Sequence, residues 1–126
     1  MAAADRVPLV TGGTRGIGFA IARQLARDGF AVGISGRSAE SVADGLARLR
    51  KDVPSARFAG HPANARSEED QRALIAWTEE TFGRLDVLVN NAGVVRVSAV
   101  VDESDDGWHT TMAVNSTGVF YGMRAA

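Results

Sequence analysis

The 126 residues are enough for one domain and no more. With 45% hydrophobic and 23% charged residues and a net charge of -1, the composition is that of a globular chain and favours neither nucleic acid nor an anionic membrane as a partner. Cysteine is absent, which excludes disulfides, thiol nucleophiles and Cys-ligated zinc.

Met1 to Arg6 carries neither the basic stretch nor the apolar run of a secretory signal. No segment approaches the roughly 18 consecutive apolar residues of a membrane span, so a cytoplasmic protein is expected. Val7 to Thr11 (V-P-L-V-T) reads as a buried strand closed by glycines. Gly16 to Asp28 follows as a helix with Ile17, Ile21 and Leu25 on its inward face, and Gly29 is its natural stop. Ala31 to Ser35 is a second strand, after which Ser38 caps a helix through about Lys51, with Val42, Leu46 and Leu49 inward.

Arg57 to Gly60 is a short third strand. Ser67-Glu68-Glu69-Asp70 opens a helix to about Phe82, its carboxylates suited to the positive end of the macrodipole and Leu74, Ile75, Thr78 and Phe82 on the buried side. Asp86 to Asn90 (D-V-L-V-N) is a fourth strand. Ser104 caps a last helix containing Trp108, Met112 and Val119. Four β-α units in succession predict a parallel sheet with helices on both faces, a doubly wound Rossmann-type α/β fold occupying residues 1–126 as one domain.

Chemistry concentrates at strand ends. Thr11-Gly12-Gly13-Thr14-Arg15-Gly16-Ile17-Gly18 lies where the first strand turns into the first helix. Unpaired amides at a helix N-terminus, aligned with its dipole, suit a pyrophosphate, and glycine permits the close approach. An ordinary glycine-rich turn is the plainer alternative. A second motif, Asn90-Asn91-Ala92-Gly93, ends the fourth strand beside the first, in the crevice where open α/β sheets bind ligands. The second strand ends in Ser35-Gly36-Arg37-Ser38, with no carboxylate to bond a ribose 2′-hydroxyl. Arg37 is suited to a 2′-phosphate instead. Arg15 offers a second cation, although either arginine also reads as a solvated surface charge.

T-G-G-x-x-x-G-x-G followed by N-N-A-G resembles the short-chain dehydrogenase/reductase family, the 3-oxoacyl-carrier-protein reductase type among its nearest-looking members, and the likeness runs from Val7 to Ala126. The resemblance implies an NADP(H)-dependent oxidoreductase interconverting carbonyl and alcohol groups of a small molecule, with homo-oligomers in the full-length form. It implies cofactor contacts at Gly12, Thr14, Arg15, Gly16, Ile17, Gly18, Arg37, Asn91, Ala92 and Gly93. Asn64-Ala65 stands where members carry Asp and an aliphatic residue against the adenine; the Asn64 oxygen can accept in the same way, and a turn role is equally open. Asn115, in V-N-S-T-G, falls at the family's catalytic asparagine, which helps position a lysine through water.

The family's Ser-Tyr-Lys set lies beyond that asparagine. Tyr121 is the chain's one tyrosine, Y-x-x-x-K fails at Ala125, and Lys51 lies far upstream. The expectation is therefore a cofactor-binding half that is inactive alone; the alternative is a short, non-catalytic nucleotide- or partner-binding protein. Neither His61 nor His109 has a second ligand at metal spacing, so no metal is expected. The acidic run Asp102 to Asp106 reads as a helix start, and Trp77 and Trp108 as packing residues.

Overall fold

The computed structural model describes residues 2–126. Strands β1 (Pro8–Val10), β2 (Val32–Gly36), β3 (Phe58–Pro62) and β4 (Val87–Val89) form one parallel sheet in the order β3-β2-β1-β4. Helices α1 (Gly16–Arg27), α2 (Ala39–Asp52) and α3 (Glu68–Phe82) connect them, and α4 (Asp105–Met112) and α5 (Gly118–Ala125) follow β4. The doubly wound expectation holds. The third strand is longer than the sequence suggested: its five residues pair in register with all of β2, from Val32 opposite Phe58 to Gly36 opposite Pro62. Its glycine and alanine are poor strand formers in isolation; ladder partners supply what propensity does not.

Two cores sit on the two faces. Val10, Phe19, Ala22, Ala26, Val32, Ile34, Leu49 and Phe58 form one, between the sheet and α1 and α2. Leu9, Ala63, Leu74 and Ile75 form the other, beneath α3, with Trp77 and Leu88 against it. Successive residues of β1, Leu9 and Val10, thus point into different cores, as a strand's period of two requires.

Two inward assignments are corrected. Ile17 is 76% exposed, because α1 packs through Phe19, Ala22 and Ala26 and leaves its first turn at the open end of the sheet. Trp108 is 59% exposed on α4 rather than packed, while Trp77 packs as expected, its ring 5.2 Å from that of His61. The last helix is also not α-helical throughout: a π-helical segment, Ala113–Thr117, joins α4 to α5. Among the described residues, no helix is long and apolar enough to cross a membrane.

β4 forms the sheet edge. Its start is secured by Asp86, whose Oδ2 accepts the Val7 amide at 2.8 Å while the Arg84 guanidinium grips both carboxylate oxygens at 2.7 Å. The Arg84 guanidinium, and then the Val7 amide, hold the Asp86 carboxyl below the usual aspartate range. A carboxyl lowered in the folded state contributes stability above its unfolded pKa of about 3.9, and that contribution is lost as pH falls through the folded value. Thermal melts of Asp86→Asn are expected to show a lower midpoint at neutral pH and a shallower acid decline than wild type. Parallel acid limbs for the two proteins would refute this role.

Candidate functional site

The glycine loop joins β1 to α1 at the carboxyl ends of the strands. Gly12 and Gly16 both have left-handed backbones, at φ 63° and 59°, which glycine adopts without penalty. The Gly13 amide bonds the Ser35 carbonyl at 3.0 Å, tying the loop to β2. In α1 the amides of Gly16, Ile17 and Gly18 precede the first helical bond, from the Phe19 amide to the Arg15 carbonyl at 3.2 Å. Ser38 and Ser104 cap α2 and α4 with their side chains, as the sequence predicts, Ser67 caps α3 in the same way, and Arg15 makes no side-chain cap on α1.

The end of β4 is stitched to this loop. Thr11 Oγ1 donates to the Val89 carbonyl at 3.3 Å and accepts the amides of Asn91 and Ala92, each at 3.1 Å. Asn91 Nδ2 donates back to the carbonyls of Thr11 and Gly12, both at 3.1 Å. These bonds span about 80 positions of sequence and hold the two predicted motifs in one crevice, at the point where the chain switches sides of β1. α1 enters it through Gly18, where a Cβ would overlap the Gly12 carbonyl oxygen and Asn91 Nδ2. Beyond its chain neighbours and its own helix, no atom of the described residues lies within 4 Å of where a Gly16 Cβ would stand, so the loop's outer side is open.

At the end of β2, Arg37 is exposed, as is Arg15 across the loop, and neither forms an ion pair among the described residues. Thr14, next to Arg15, packs against the end of β2 and against α2: a Cβ on Gly36 would stand 2.6 Å from its Cγ2, and one on Gly45 2.9 Å from its Cα. After β3, Asn64 makes a turn, its Oδ1 accepting the Arg66 amide at 3.1 Å and its own amide donating to Asp70 at 2.7 Å. The turn reading of Asn64 is the one its contacts support, with one lone pair of the oxygen left over.

Asn115 lies within the π-helical segment. Its Oδ1 accepts the Val94 amide at 2.8 Å and its Nδ2 donates to the Val94 carbonyl at 2.7 Å, a two-point clasp on the irregular segment that follows Gly93. Such segments recur at functional sites because they redirect a side chain out of the helical register. Gln71, which no motif singles out, also joins elements around the site. It is buried, and its Nε2 donates to the carbonyls of Ala65 at 3.0 Å and Gly118 at 3.2 Å, binding the turn after β3 to the start of α5. A signal was present: Gln71 extends the Leu74, Ile75 and Thr78 face by one helical turn, where a polar side chain needs partners.

A family model described as short chain dehydrogenase matches residues 6–126. An NADP-dependent (R)-specific alcohol dehydrogenase of Lentilactobacillus kefiri is 39% identical over 94% of this chain and 46% of its own length. A rhamnolipids biosynthesis 3-oxoacyl-[acyl-carrier-protein] reductase of Pseudomonas aeruginosa is 41% identical over 93% of this chain and 44% of its own. Among solved structures, a variant of actinorhodin polyketide ketoreductase with NADPH superposes with a TM-score of 0.91 at 37% identity, covering 99% of this chain and 48% of that one. The chain spans about half the length of the curated relatives it matches.

Proposed function

The chain belongs to the short-chain dehydrogenase family, and from that premise we propose that it holds NADP(H) for an oxidoreductase interconverting carbonyl and alcohol groups of a small molecule. The observation that carries the reading is the end of β2: Arg37 stands exposed beside Gly36 with Arg15 across the glycine loop, and no carboxylate occupies the strand end. Relatives named for NADP or solved with NADPH support it.

In this reading the amides of Gly16, Ile17 and Gly18 take the pyrophosphate, and Gly12 and Thr14 shape the loop around it. The exposed Ile17 side chain is covered by the bound dinucleotide. Arg15 and Arg37 take the 2′-phosphate, Ala65 and the spare Asn64 lone pair border the adenine, and Asn91, Ala92 and Gly93 form the wall beside the ribose. The nicotinamide supplies the hydride chemistry when bound. We assign Asn115 to positioning, since both ends of its carboxamide already hold Val94.

The sequence contains no Y-x-x-x-K, so the 126-residue chain by itself is expected to bind nucleotide without turning over. Adenosine 2′,5′-bisphosphate should bind more tightly than 5′-AMP in calorimetry, and NADPH should not be oxidised by the pure chain in the presence of a carbonyl substrate above the buffer rate. Equal affinity for the two nucleotides would remove the 2′-phosphate assignment, and measurable turnover would remove the expected inactivity.

A further inference from the structure

Arg48 on α2 belongs to none of the motifs discussed, yet it reaches the glycine loop 34 residues upstream. Its Nη1 donates to the Thr14 carbonyl at 3.3 Å, and its guanidinium lies 4.2 Å from the centre of the Phe19 ring. Phe19 is buried in the core on the first turns of α1, so the stacked guanidinium rests on a fixed platform. Gly45, one turn earlier on α2, admits Thr14 so closely that a Cβ there would stand 2.9 Å from the Thr14 Cα. Thr14 Cγ2 in turn fills the space over Gly36, the residue before Arg37. The residue that precedes Arg15 is therefore gripped by its backbone oxygen and wedged by its side chain against the strand end that carries Arg37.

We propose that Arg48 is a positioning residue for 2′-phosphate selection, acting through Thr14 on Arg15; this rests on the cofactor reading above. The Thr14–Arg15 peptide is trans, so its carbonyl and amide point in opposite directions. Anchoring the Thr14 oxygen on α2 turns the Arg15 amide away from α2 and fixes where the Arg15 side chain leaves the backbone. Thr14, seated over Gly36, then sets the spacing between Arg15 and Arg37. A 2′-phosphate shared by two guanidiniums depends on that spacing; a 2′-hydroxyl does not.

The test is a double-mutant cycle on the 126-residue chain, measuring dissociation constants for adenosine 2′,5′-bisphosphate and 5′-AMP by calorimetry. These probes differ only by the 2′-phosphate. Arg48→Ala is expected to weaken the bisphosphate about three- to tenfold, less than the loss of a direct charged bond to phosphate because Arg48 acts only through Thr14, and 5′-AMP less than about twofold. In an Arg15→Ala background, the same substitution should leave the ratio unchanged, because the residue it acts through is gone. Should Arg48→Ala fail to fold by circular dichroism, Arg48→Met keeps the packing on Phe19 without the donor and must give the same selective loss. An unchanged ratio, an equal loss for both nucleotides, or effects of Arg48 and Arg15 that simply add would each overturn the proposal while leaving the cofactor reading standing. A folded wild type that binds neither nucleotide would bring down the cofactor reading, and this inference with it.

Discussion

Gly18→Ala is expected to destabilise the fold by about 3 kcal/mol and to eliminate nucleotide binding. The new methyl would overlap the Gly12 carbonyl oxygen and the Asn91 amide nitrogen, atoms already bonded to one another at 3.1 Å. α1 cannot retreat, because Phe19, Ala22 and Ala26 pin it to the sheet. The clash is therefore relieved by displacing Asn91, which loses its two bonds to the loop. Overpacking contributes about 1–3 kcal/mol and the two hydrogen bonds about 0.5–1.5 kcal/mol each, offset by about 1 kcal/mol of helix propensity. Gly16→Ala is the internal control. It meets open space, and its cost is the left-handed backbone alone, about 1–2 kcal/mol. Urea denaturation of both variants separates contact from conformation. Equal losses, or a Gly18 variant within about 0.5 kcal/mol of wild type, would mean that the loop and β4 are not held together in this way.

The second large effect is on cofactor choice. Arg37→Asp replaces an exposed cation at the end of β2 with a carboxylate that repels a 2′-phosphate and accepts a bond from a 2′-hydroxyl. A charged hydrogen bond to phosphate is worth about 1.5–3 kcal/mol, so the preference for adenosine 2′,5′-bisphosphate over 5′-AMP should fall by roughly tenfold to a hundredfold, erasing or reversing it. Because Arg37 bonds no carboxylate among the described residues, its loss should leave the melting temperature nearly unchanged, and binding can be compared at equal foldedness. A variant that keeps the wild-type ratio would transfer the selector role elsewhere, with Arg15 the first residue to examine.

Much of this architecture is local and could be read along the chain. The serines that cap α2, α3 and α4 act on amides three residues ahead. The left-handed glycines that stop α1 and α3, Gly29 and Gly83, act within one turn. The glycine loop identifies itself because Gly12 and Gly16 answer to their own left-handed backbone, whereas N-N-A-G is legible through its motif and is held by bonds to Thr11 and Gly12. The alternation of elements announced a parallel sheet, while the order that sets β4 beside β1 was implied only by the family resemblance.

What the tertiary structure alone decided lies across long separations. The face of α1 that turns inward is set by where the sheet offers room, so Phe19 went in and Ile17 stayed out although both satisfy a helical period. Gln71 is tolerable in the interior because the carbonyls of Ala65 and Gly118 meet its amide. Asn115 leaves its helix to clasp Val94, and Arg48 reaches Thr14 across 34 residues. Interactions within four residues are fixed by the geometry of a single helix or turn and are legible in spacing. Bonds between elements depend on which strand ends the sheet brings together and how far apart the helices pack, and no local period records those distances.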